Sequence, residues 1–152
     1  MLQVKIKEAL FEYCKTFVNK RLQTVAEVLS SNQIALQSET KSSAGDKHET
    51  GRAMLQLEME KAGQQLAGID QMKTILARID VSQRSKKACL GSIVITNKGN
   101  YFLSISAGKY VFEDTVYFAI SAVSPIGKLL LGSSENSTFS FNEMSYKVQK
   151  IV

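Results

Sequence analysis

The stretch "SSAGDKHETGRAM", residues 42–54, separates two long apolar patterns, and reading it decides how the chain is arranged. Before it, no glycine or proline occurs from Lys5 to Lys41, and apolar residues recur at Phe11, Cys14, Val18, Leu22, Val25 and Leu29. Steps of three and four place these side chains on one face of a helix. After it, Leu55, Met59, Ala62, Leu66, Ile69, Met72, Leu76 and Ile79 repeat the same steps, near the spacing of a coiled-coil seam. A reversal within the quoted stretch sets Leu29 near Leu66, Val25 near Ile69, Leu22 near Met72 and Val18 near Leu76. The expectation is a long antiparallel helical hairpin, a coiled coil, over residues 1–80 with its tip at 42–52. At a rise of ~1.5 Å per residue the paired portion of roughly 30 residues is about 45 Å long, so it is expected to project into solvent. Asn32 interrupts the first stripe. Gly63 and Gly68 sit inside the second helix, each at a cost of about 1 kcal/mol relative to alanine. The opening "LQVKI" alternates with period two, but continuation of the first helix past the end of the second is the better reading, and that overhang is able to cover a neighbouring domain.

The period changes after "VSQRSKK", residues 81–87, which reads as a linker. "GSIVIT", "YFLSIS", "TVYFAIS", "STFSF" and "YKVQKIV" are β-rich runs bounded by "NKGN", "AGKY" and "SSENS", as expected of an antiparallel sheet with tight turns. Between the third and fourth runs lies "SPIGKLLLG", where Ser124 is placed to cap, Pro125 suits the first helical position and Gly132 ends a short helix. Residues 88–152 therefore read as a small sheet domain with one short helix, and the whole chain as α+β.

Composition narrows the function classes. With 152 residues, 44% of them apolar and 22% charged, the chain is long enough for one ordinary core or a small core plus an extension. Two cysteines, Cys14 and Cys89, and one histidine, His48, make neither a disulfide framework nor a zinc site. Both cysteines read as buried fillers, and reduced, intracellular conditions fit best. The N-terminal residues lack the pattern of a secretory signal, and no apolar run is long enough to span a membrane. The net charge of +5 is concentrated in the linker through Arg84, Lys86 and Lys87; with no tryptophan in the chain and no aromatic residue near them, this is a solvated linker rather than a nucleic-acid surface.

Taken in order, the hairpin, its acids and the later "SPIGKLLLG" resemble the Gre family of bacterial transcript-cleavage and elongation factors, over nearly the whole chain. The family's Gly-Asp-x-x-Glu tip pattern is matched by Gly45, Asp46 and Glu49. Its Ser-Pro motif is matched by Ser124, Pro125, Ile126, Lys128, Leu130, Leu131 and Gly132. The resemblance implies an FKBP-like fold for residues 88–152, which docks on RNA polymerase through the region of Ser124, Pro125 and Ile126, while the coiled-coil tip enters the secondary channel. It also implies that Asp46 and Glu49 act in trans in the polymerase active centre, helping to hold a weakly bound Mg²⁺ near the backtracked nascent RNA. The protein would then be cytoplasmic, would hold no cofactor alone, and would stimulate the polymerase's own nuclease without being an enzyme itself. A hard cation held through one or two carboxylates plus phosphate suits that chemistry.

Other readings stand beside this one. Asp46 followed by Glu49 is also a capping-box-like start for the second helix, and Ser124-Pro125 is also a plain helix start. Around the acids, Lys47, His48 and Arg52 add positive charge, and Thr50, Gly51 and Ala53 replace the family's usual residues. Those differences suit a channel binder that modulates or inhibits transcription without cleavage. Val123 stands where the family often has Asp or Asn. The FKBP-like resemblance also admits a peptidyl-prolyl isomerase, for which Tyr101, Phe102, Tyr110, Phe112, Tyr117 and Phe118 would have to line a pocket. The plainest alternative is a structural coiled-coil adaptor.

Overall fold

Helix α1, Leu2–Lys41, runs without interruption because nothing in it breaks a helix, and α2, Gly45–Ala77, follows. The computed structural model describes residues 2–41 and 45–152, and of 39–41 and 45–48 the backbone alone. The remaining elements are β1 (Ile93–Thr96), β2 (Asn100–Ser104), β3 (Gly108–Phe112), β4 (Thr115–Ser121), α3 (Pro125–Leu130), β5 (Thr138–Phe141) and β6 (Met144–Ile151). The period-two start of the chain is helical. No helix among the described residues is long and apolar enough to cross a membrane.

The chain folds as two compact units: Val18–Met72, and Lys73–Val152 together with the start of α1 through Phe17. In the helical unit Val18, Val25 and Asn32 are buried on α1, and Ala62 and Ile69 on α2. Leu22, Leu29, Leu55, Met59, Leu66 and Met72 are half-buried. Every stripe position expected to face inward therefore avoids full exposure.

In the sheet unit the strand order is β3-β4-β2-β1-β6-β5. The antiparallel expectation fails at one place, because β2 and β4 pair in parallel, Tyr101 beside Phe118 and Ser104 beside Ser121. The cause is β3. Its "GKYVF" lies where only a turn was expected, and it forms a hairpin with β4 through Glu113 and Asp114, both at positive φ (47° and 64°). Two consecutive left-handed residues make the tight reversal that matches strand twist. β3 takes the outer edge, so β4 is left beside β2 and running with it, and the sheet is mixed.

Successive residues of a strand face opposite sides, and both faces of this sheet are covered. On one, Val94, Leu103, Val148 and Ile151 pack with Leu130 of α3 and with Ala88, and Tyr101, Ile120, Ile126 and Phe139 surround them. On the other lie Ile93, Phe102, Ser104, Tyr117 and Ala119, all buried. The start of α1 covers this second face: Leu10 is fully buried, the Cys14 thiol lies 3.6 Å from the Ser104 hydroxyl, and the Tyr13 hydroxyl donates to the Ala107 carbonyl at 2.7 Å. The Tyr13 and Tyr110 rings lie 4.9 Å apart. Burial pushes the Cys14 thiol pKa up, which keeps it a neutral packing group. Lys7 is buried as well and donates its ammonium proton to the Gln83 carbonyl at 2.8 Å; burial lowers its pKa. Cys89 precedes β1, is half-buried, and has its sulfur 3.4 Å from the Ser92 hydroxyl.

Candidate functional site

The two groups of residues singled out by sequence lie in different units, Asp46 and Glu49 in the helical unit and Ser124, Pro125 and Ile126 in the sheet unit. Asp46 lies in the first described turn of α2, whose described residues begin at Gly45. Its side chain, with those of Lys47 and His48, lies outside the described residues. Glu49 is exposed, and so is Arg52. Residues three apart share a helix face, so Arg52 lies on the same side of α2 as Glu49, one turn further on. Among the described residues no three His, Cys, Asp or Glu side chains gather to hold a metal.

Ser124 caps α3 as expected: its hydroxyl accepts from the Gly127 amide at 3.2 Å and donates to the Ser121 carbonyl at 2.6 Å. Pro125 occupies the first turn and is exposed, and Gly132, at φ +82°, follows the C-terminus. Ile126 is turned toward the core beside Leu130. Around α3 the exposed apolar groups are Val123, 73% exposed, Leu129 and Leu131. Sequence reasoning also passed over Gly127. A Cβ there would overlap the Ser121 carbonyl oxygen and approach the Ser124 Oγ to 2.8 Å, so only glycine lets the capped helix sit this close to the end of β4. The glycine inside an otherwise apolar short helix was the available signal.

The aromatic residues considered for an isomerase pocket are split by the sheet. Phe102, Tyr110 and Tyr117 belong to the face covered by α1, while Tyr101 and Phe118, with ring centroids 6.1 Å apart, belong to the other. A cavity of about 400 Å³ between Leu2, Gln3 and Ile6 of α1 and Ile93, Ile95 and Lys150 of the sheet is lined by one aromatic ring, Tyr117. Arg84, Lys86 and Lys87 of the 81–87 segment are exposed.

The chain matches no family model and no curated protein.

Proposed function

We propose that this protein is a Gre-type transcription elongation factor that binds RNA polymerase through its sheet unit and presents the turn between α1 and α2 to the secondary channel to promote cleavage of backtracked RNA. The observation that carries this reading is the pair Asp46 and Glu49, one helical turn apart in the first described turn of α2, on a pair of helices whose apolar stripes are buried or half-buried. Within this proposal the helices form a coiled coil: Val18, Val25 and Asn32 on α1, and Ala62, Ile69 and Leu76 on α2, are buried at intervals of seven. The sheet with its single capped helix is read as FKBP-like. Asp46 and Glu49 would supply carboxylate oxygens to a Mg²⁺ whose other ligands are the polymerase and RNA phosphate, which lowers the barrier by stabilising charge on the attacking and leaving oxygens. Ser124 and Pro125, with the exposed Val123 and Leu129, would form the docking contact. The setting would be the bacterial cytoplasm.

The test is a stalled elongation complex assembled with purified polymerase. Addition of the protein should shorten backtracked RNA, and Asp46→Ala with Glu49→Ala should abolish shortening while leaving co-purification with polymerase intact. Shortening unchanged by the double substitution would sink the reading. A second reading, a channel binder that inhibits without cleavage, is favoured by the exposed Arg52, one helical turn beyond Glu49. A positive charge there competes with a cation for the carboxylates. In that case Arg52→Ala would confer cleavage that the parent lacks.

A further inference from the structure

Under the first turns of α1 the sheet is not fully covered. The cavity of about 400 Å³ that lies there is internal to the sheet unit and is walled by Leu2 and Ile6 of α1, Ile93 and Ile95 of β1, and Val152. Leu2 is 54% exposed and Ile6 and Ile95 are half-buried, so part of this aliphatic wall faces solvent. Such a wall makes no hydrogen bonds to water, and an apolar occupant replaces that water favourably.

Three polar side chains complete the lining, Gln3, Tyr117 and Lys150. Tyr117 is buried, and its phenol pKa is raised chiefly by that burial, so it stays a neutral part of the wall. Lys150 stands beside Ile95 in the β1–β6 ladder and is exposed. Its alkyl stem lies along the wall while its ammonium group stays in water at the opening. Lys150 makes no ion pair among the described residues, and no acidic side chain lines the cavity. An apolar interior with one uncompensated cation at its mouth selects an alkyl chain that ends in a single negative charge.

We propose that this cavity binds a medium-chain alkyl carboxylate, with the chain against Leu2, Ile6, Ile93 and Ile95 and the head group at the Lys150 ammonium. At about 30 Å³ per non-hydrogen atom, the share of a water molecule in the liquid, the cavity takes about 13 such atoms. That admits octanoate and leaves much of a palmitate chain outside. A bound chain touches α1 and β1 at once and so ties the start of the helix to the sheet.

Calorimetric titration of the full chain with octanoate, octanol and octylammonium tests this, with methyl NMR to locate the site. Octanoate should bind saturably, one per chain, about five-fold more tightly than octanol, with octylammonium weakest, and should move the methyl signals of Ile6, Ile93 and Ile95. Lys150→Met should weaken octanoate about five-fold, as expected of an exposed ion pair, and leave octanol unchanged. Ile95→Phe and Ile6→Phe, each checked for folding by circular dichroism, should weaken both ligands by filling the cavity. The proposal is overturned by the absence of saturable binding, by octylammonium binding as tightly as octanoate, by indifference to Lys150→Met, or by methyl shifts confined to other residues.

Discussion

The two units of this protein are held together in different ways. The helical unit relies on one line of inward residues, most of them only half-buried, whereas the sheet unit buries both faces of a six-stranded sheet. Of the twelve largest fully buried side chains among the described residues, Val18 and Ile69 belong to the helical unit and the other ten to the sheet unit. Charge divides along the same line. The sheet unit carries 13 basic and 7 acidic side chains, net +6, and the helical unit 6 and 7, net −1, so the excess positive charge of the chain lies in the sheet unit. The difference teaches that a two-helix unit buries its apolar residues along a thin line, whereas a sheet covered on both faces concentrates them in a core.

The contrast can be broken most directly in the cores. Leu10→Ala should cost about 2–5 kcal/mol, because a fully buried leucine leaves a cavity. Leu22→Ala, at a half-buried seam position, should cost about 1 kcal/mol, since less area leaves water. Denaturant unfolding measures both, and equal costs would erase the distinction. Gly127→Ala should cost about 3 kcal/mol or more, because the added methyl overlaps the Ser121 backbone carbonyl, which yields only if the end of β4 or α3 shifts; thermal unfolding reads the loss. Ser124→Ala should cost about 1 kcal/mol and Ser124→Asn much less, as Asn also caps. That pair sharpens the role of the motif, because a capping defect lowers stability whether or not polymerase docks.

The smallest effect concerns Lys7, whose pKa in the folded chain lies below its ordinary 10.5 because burial disfavours its charge. Below that lowered value the penalty is fully present. As pH rises through it toward 10.5, the unfolded chain holds more protons than the folded one, and stability rises. Unfolding curves in that alkaline window should show this gain in the wild type and lose it in Lys7→Met. A pH slope unchanged by the substitution would show that Lys7 is not the group responsible.

Local patterns made much of this legible. Each residue of both apolar stripes is buried or half-buried, because helical period alone decides which side chains share a face. α3 starts and stops where Ser124, Pro125 and Gly132 indicate, since caps are chemistry between near neighbours. Five strands coincide with β-rich runs. β3 escaped because its turn to β4 is Glu113-Asp114, which carries none of the usual turn glycines, and because "AGKY" looked like punctuation. At the candidate sites, the spacing of Asp46 and Glu49 was readable from the chain, but the need for glycine at position 127 was not. Nor was the inward orientation of Ile126, which depends on the sheet beneath α3.

By itself, then, the sequence determined which residues form helices, which faces are apolar, and where the acids and the Ser-Pro cap fall, since all of these rest on interactions within a few residues. Only the tertiary structure decided that β4 lies parallel to β2, that the start of α1 covers the second face of the sheet, that Lys7 is buried against Gln83, and that position 127 admits glycine alone. Those outcomes depend on backbone groups meeting in space, and neither periodicity nor composition encodes such meetings.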